Sequence, residues 1–467
     1  MDSIRLFLIV MASSAGAALP ALAAPELDAL FQDHAVLQRD KPAPVWGRAA
    51  PGEHVSVAYA GQTLGATAGP DGRWIVAFAP MAAISSGADL TVTGNGKAIA
   101  RDVVVGEVWL CSGGVNMEFE VDDAHRPLFR VNDAAVEVAA ARYPLIRHFK
   151  VAPQSSARPM ETLRGDWKVC SPETVGQFTA VGYFFARDLL ARLNVPFGII
   201  NSTWEEAPLK SWMSPVALAG LPAFSNGHPA AGDPRLPGSA FNGMIHPLLQ
   251  CAIRGAIWYQ GEGDVGRAAD YAVDFPRMIT SWRAHFGQGD FPFFWVQLAN
   301  VDSPGEGPGE PWAYLREAQS RALSLPSAGQ AVAVDIGDSR NVHPGNKREV
   351  GRRLALIAKA KVYAIPVDCS GPVYREIAVE GSSIRVRFSF AGEGLTASGK
   401  PLQSFEVAGA DRVFHPAGAI IQGDSVVVRS IAVGHPVAVR YAWRNAPEAN
   451  LYSGAGLPAA PFRSDEW

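Results

Sequence analysis

Three glutamates, an arginine and a histidine follow strand-like runs in this chain. Glu205 and Glu206 lie in Asn201-Ser-Thr-Trp-Glu-Glu206, and Glu262 in Trp258-Tyr-Gln-Gly-Glu-Gly-Asp264. Arg340 and His343 lie in Asp335-Ile-Gly-Asp-Ser-Arg-Asn-Val-His-Pro344. A fourth segment, Gly113 to Asn116, is a small-residue turn after the apolar run Val104, Val105, Val108 and Leu110. In an open α/β sheet, ligands bind beyond the carboxyl ends of the strands, where such turns collect. Carboxylates facing a histidine suit glycosidic cleavage, which needs an acid and a base or nucleophile typically ~5–9.5 Å apart. Crowded carboxylates also split their pKa values, keeping one protonated near neutrality. His343, Glu205 and Glu262 are therefore the expected catalytic groups. Asn116, Gln260, Trp204, Glu206 and Asp338 are expected to contact or orient substrate, and Arg340 to pair with a substrate carboxylate.

Each of these residues also has a structural reading. His343 would cap a helix, Glu262 would hold loop amides, and Asp338 would cap a turn or orient His343. Gln260 and Asn116 would hold loops together. Trp204 and Trp258 would be core, one of Glu205 and Glu206 would be solvated, and Arg340 would be a surface ion-pair residue.

The elements that must position this set are legible in outline. From about Val103 to Val362, strand-like runs alternate with helical ones, the pattern of a parallel sheet covered on both faces. Val181 to Leu193 has helical spacing and leads into a strand at Pro196 to Ile200. Further strands are expected at Ala252–Tyr259, Phe291–Leu298 and Ala331–Asp335. Helices are expected near Tyr271–Phe286, Tyr314–Leu323 and from about Pro344, where a proline's missing N–H costs nothing. The stretch from Gly114 to Asp166 fits neither period and reads as an insertion over the pocket. Residues 25–101 read as a small β-sandwich with turns at Gly69-Pro-Asp-Gly72 and Gly94-Asn-Gly96. Residues 363–467 return to β patterning, with strands at Ile384–Phe388, Ser425–Val428 and Val437–Tyr441.

The composition of 467 residues, 48% hydrophobic and 18% charged, describes a folded chain with several cores. A net charge of −4 without a Lys/Arg run argues against nucleic acid or an anionic membrane surface as partner. Arg5, the apolar stretch Leu6–Met11 and the small-residue site at Ala21–Ala24 read as a secretory signal covering residues 1–24. The mature chain is then expected to be periplasmic or secreted, free of the membrane after cleavage. Four cysteines (Cys111, Cys170, Cys251, Cys369) allow three disulfide pairings or none, and their spacing is not that of a zinc site. No metal or organic cofactor is indicated, and the sequence assigns no oligomeric state.

Val105-Gly-Glu-Val-Trp-Leu-Cys-Ser-Gly-Gly-Val-Asn-Met-Glu-Phe119 closely resembles the first motif of the sialate O-acetylesterase family of SGNH hydrolases, Cys-Ser-Gly-Gln-Ser-Asn-Met. The other three loops, Leu30 to Arg39, Asn242-Gly-Met-Ile-His-Pro247 and the carboxyl-terminal segment resemble family blocks in the same order. The resemblance implies an SGNH-type, flavodoxin-like parallel sheet over residues 102–362, flanked by β-sandwich-like domains. It also implies that His343 is the catalytic histidine and that Gly114 and Val115 stand where the family has Gln and the nucleophilic Ser. An oxyanion-hole Gly is replaced by Glu205, the next Gly by Glu206, and Ser-Asn by Gly263-Asp264. Arg340 stands where SGNH enzymes often place the Asp of the triad.

An isopropyl group cannot attack a carbonyl, and acidic groups oppose a developing oxyanion. The loss of the serine makes the chain resemble branches of this fold expected to cleave glycans in the manner of sialidases. The leading expectation is thus a secreted glycosidase for an acidic sugar, with a glycan or glycoside as its partner. The alternatives are a carbohydrate O-acetylesterase of unusual or weak mechanism and a non-catalytic glycan-binding protein. In the esterase alternative Ser112 is the nearest hydroxyl, but it belongs to the family's ordinary pattern beside the nucleophile.

Overall fold

A computed structural model describes residues 24–126, 129–205, 207–221, 233–302, 309–391 and 393–467. The expected signal falls almost wholly on residues 1–23, outside the described ones.

The central sheet runs in the order 165–170, 143–151, 197–203, 97–113, 255–259, 293–297, 328–332. All neighbours pair in parallel except the first two. The order reverses at the strand Lys97–Gly113, which lies between Phe197–Thr203 and Gly255–Tyr259. That reversal is the switch point of a flavodoxin-like sheet and opens a crevice at the strands' carboxyl ends. Gly113 ends the central strand with φ +131°, and a side chain there would come within 2.3 Å of the Tyr259 carbonyl oxygen. Only glycine permits that approach.

Two helices, Ala180–Leu193 and Lys347–Lys361, pack together on one face of the sheet. Gly351 makes this possible, since a Cβ would lie 2.6 Å from that of Phe184. Helices Ala268–Phe286 and Pro311–Arg321 pack together on the other face. The expected strands and helices are present with shifts of a few residues. The last strand is Ala328–Val332 rather than Ala331–Asp335, because Asp335 instead forms a bidentate pair with Arg353 at 2.6 and 2.8 Å. The last helix starts at Lys347, not Pro344: Asn346 caps it by accepting from the Glu349 amide at 3.3 Å.

The insertion expected from Gly114 to Asp166 is corrected. It contains the helix Ala134–Ala140 and the strand Tyr143–Val151, which joins the central sheet. The amino-terminal region packs a sheet of strands 26–27, 43–48 and 73–78 near strands 54–59, 62–67 and 84–93. The Gly94–Gly96 turn joins Ile84–Thr93 to Lys97–Gly113 as a hairpin. The expected boundary at residues 101/102 falls inside that last strand, and one continuous core runs through both units. A second core, around Val386, Val407, Val428, Val439 and Tyr441, belongs to the carboxyl-terminal β domain.

All four cysteines are unpaired, and Cys111, Cys170 and Cys251 are buried. Alkylation under denaturing conditions without reductant should modify four thiols; a mass showing only two modified thiols would contradict this arrangement.

Candidate active site

Val115 begins a single helical turn, Val115–Glu118, directly after the central strand, and its side chain is largely buried. Its neighbour Asn116 is bound on three sides. The Asn116 Nδ2 donates to Glu262 Oε1 at 2.5 Å and to the Val342 carbonyl at 3.0 Å, while its Oδ1 accepts from Lys347 Nζ at 2.6 Å. The turn that carries Val115 is thus bonded directly to the segment that carries His343. The Asn116 side chain has no donor left for substrate, so it holds the loops, against the expected substrate contact.

His343 is half-buried, with its ring 5.0 Å from that of Phe129 and its amide donating to Asn341 Oδ1 at 2.9 Å. Its Nδ1 is buried and has no hydrogen-bond partner among the described residues. Burial, reinforced by the nearby positive charges of Lys347 and Arg126, pushes its pKa down to about 4. The imidazole is therefore neutral near pH 7 and able to accept a proton, as a weaker base than an ordinary histidine. Asp338 does not orient it. That carboxylate is exposed and accepts from the Arg340 amide at 2.9 Å, a turn cap. Arg340 is likewise exposed.

Glu205 is half exposed and pairs with Arg126 Nη1 at 3.2 Å. Its own amide, which stands where the family glycine does, donates to Glu118 Oε2 at 3.1 Å. Arg126 also binds Asp123 at 2.6 Å and lies 3.7 Å from Glu118. Burial raises the pKa of Glu118 despite Lys150 and Arg126 nearby. Glu262 is half-buried in the Glu262–Asp264 turn, and desolvation raises its pKa as well. Glu206 lies outside the described residues.

Gln260 and Asp264 bond to each other at 2.7 Å, and Asp264 also accepts from the Leu209 amide at 2.8 Å. Tyr271 donates to Gln260 Oε1 at 3.3 Å. Both side chains therefore stitch loops together, and Gln260, 2% exposed, is not placed to meet substrate. Trp258 is core, packed edge-on against Trp212 and Trp282. Trp204 is half-buried, its amide donating to the Gly113 carbonyl at 3.1 Å. Ser112 is completely buried within the strand and makes no bond to His343. At Gly114 a side chain would meet only Gln260 at 3.5 Å, and at Gly263 nothing within 4 Å, so the departures there open space.

Sequence reasoning missed Glu118, Arg126, Phe129 and Lys347. The position of Lys347, four residues after His343 at the start of a helix, was the one available signal, because the first turn of a helix lies beside the loop that precedes it.

A switch-point crevice with the histidine loop on one side and the altered serine turn on the other defines an SGNH-type hydrolase scaffold. Residues 105–359 match the family described as carbohydrate esterase, sialic acid-specific acetylesterase. The chain is 42% identical to a carbohydrate acetylesterase from Xanthomonas citri whose crystal structure superposes with a TM-score of 0.88, covering 95% of this chain and 100% of that one. It is 28% identical to the sialate O-acetylesterases of Homo sapiens and Rattus norvegicus, over 78% and 98% of this chain and 75% and 97% of theirs. The chain belongs to the sialic acid-specific acetylesterase family of carbohydrate esterases.

The glycosidase expectation, sialidase-like or otherwise, is corrected by these relationships: the class is hydrolases acting on carbohydrate esters. The geometry supplies the physical reason. Glu205 is spent on Arg126 and Glu262 on Asn116, so the two carboxylates are not held as a free acid–base pair.

Proposed function

We propose that this protein removes O-acetyl groups from acetylated carbohydrates by attack of a His343-activated water, without an acyl-enzyme. The observation that carries the reading is the neutral imidazole of His343, its Nδ1 without a partner among the described residues, beside a turn whose nucleophile position is Val115. Water gives its proton to the imidazole as its oxygen bonds the acetyl carbon. The ester C–O bond then breaks, the sugar oxygen takes the proton back, and acetate leaves. The Val115 amide, which has no hydrogen-bond partner among the described residues, supports the oxyanion. The Glu205 amide is withdrawn by Glu118, so the reaction is slow; sites lacking a triad member retain roughly 10³–10⁴-fold acceleration over water. The amino-terminal signal pattern supports export to the periplasm or beyond, where glycans are met.

Acetate release from O-acetylated oligosaccharides and O-acetylated sialosides tests this reading. His343→Ala should lower the rate to that of buffer, and a serine-directed fluorophosphonate should not inhibit. The active form is the unprotonated imidazole, so kcat/KM should stay level from about pH 7 to about pH 5 and fall as pH drops through about 4. Equal acetate release by wild type and His343→Ala would overturn the proposal.

A further inference from the structure

Lys347 is fully buried, an unusual place for an ammonium group. Its Nζ donates to Asn116 Oδ1 at 2.6 Å and to the Pro344 carbonyl at 2.7 Å. It also lies 4.4 Å from the centroid of the Phe119 ring and 5.5 Å from that of Tyr259. Asn116 in turn donates to the Val342 carbonyl and to Glu262. The carbonyls on both sides of His343 are therefore tied to one Lys347–Asn116–Glu262 cluster, of which Lys347 and Asn116 are buried. In a serine hydrolase a carboxylate on Nδ1 fixes the catalytic imidazole. Here Nδ1 has no partner among the described residues, so the ring is held by the backbone on either side together with its contact to Phe129.

We propose that Lys347 is a positioning residue, which fixes the His343 backbone through Asn116 and the Pro344 carbonyl in place of the missing carboxylate. The consequence for rate rests on the deacetylation reading; the positioning itself does not. Among the described residues, the cations Lys347 and Arg126 and the carboxylates Glu262, Glu118, Asp123 and Glu205 lie around this part of the site. Burial pushes the Lys347 ammonium down to about 7, against the pull of Glu262. Its positive charge adds to the burial that lowers the His343 pKa.

The test is Lys347→Met, which keeps the aliphatic stem, beside Asn116→Ala, which cuts the same link without touching the lysine. Both are compared with wild type for acetate release and for the titration of the His343 imidazole by NMR. Lys347→Met should lower kcat about 10²-fold, as a misplaced catalytic group does, with KM within about twofold of wild type. Its His343 titration should move up toward the ordinary histidine value by about one unit. Asn116→Ala should lower kcat in the same way while leaving the lysine charge in place. A packing role alone would lower thermal stability and move neither kcat nor the titration, and that result overturns the proposal. If wild type releases no acetate, the deacetylation reading falls by itself. The imidazole titration then decides on Lys347: a shift in Lys347→Met supports its coupling to His343, and an unmoved titration sinks it.

Discussion

Val115→Ser should raise deacetylation about 10- to 100-fold and convert it to an acyl-enzyme route that fluorophosphonates block. The substitution puts a hydroxyl at the first position of the helical turn, on a chain bonded through Asn116 to the His343 segment. His343 is already neutral, so it is ready to take the serine proton. The gain stops well short of a complete triad because no carboxylate among the described residues reaches Nδ1 and because the Glu205 amide is bound by Glu118. Adding Glu118→Ala should free that amide by removing the carboxylate that accepts from it. Since one oxyanion donor is worth about 10²–10³-fold, the double variant should exceed Val115→Ser by at least about tenfold. Acetate release by the three proteins checks this. A Val115→Ser protein that remains as slow as wild type and is not labelled by the inhibitor would show that position 115 is not where acyl transfer starts.

Arg316→Met should destabilise the chain by about 3–5 kcal/mol, the largest stability effect expected of any single side chain discussed. Arg316 is fully buried and bonds four backbone carbonyls: Leu298 at 2.8 Å, Ala299 at 2.7 Å, and Arg444 and Asn445 at 2.8 Å each. Methionine fills much of the space and donates nothing, leaving those carbonyls without their charged partner. Two of the four belong to the carboxyl-terminal region, so the arginine fastens that domain to the hydrolase sheet. The other two adjoin Asn300, whose side chain accepts from the Gly337 amide at 2.9 Å and so steadies the start of the histidine loop. Urea denaturation followed by tryptophan fluorescence should show a lower midpoint and an earlier, separate transition for the carboxyl-terminal domain. An unchanged midpoint would contradict this account of the junction.

The parallel sheet, most of its strands and the identity of the altered turn were legible in the sequence because they depend on local apolar patterning and on contiguous motifs. The direction of the carboxylates was not. Glu205 is turned by Arg126, which lies 79 positions earlier in a stretch with no clear period. Glu262 is turned by Asn116, 146 positions away. The strand Tyr143–Val151 escaped the periodicity test because its buried polar residues are satisfied by distant groups. Arg147 pairs with Asp102 at 3.1 Å, and His148 stacks on Phe178. Counting acidic residues near a motif therefore overstated their chemistry. Three of the supposed active groups, Asn116, Gln260 and Glu262, are spent on holding the loops that carry His343 and Val115.

Intact-protein mass spectrometry after rapid mixing and acid quench, during turnover of an O-acetylated oligosaccharide, tests the central claim most directly. The wild-type protein should release acetate while its mass stays unmodified at every time, whereas Val115→Ser should gain one acetyl group. An acetyl adduct on the wild-type chain would contradict direct water attack, and the residue carrying it would be the true nucleophile.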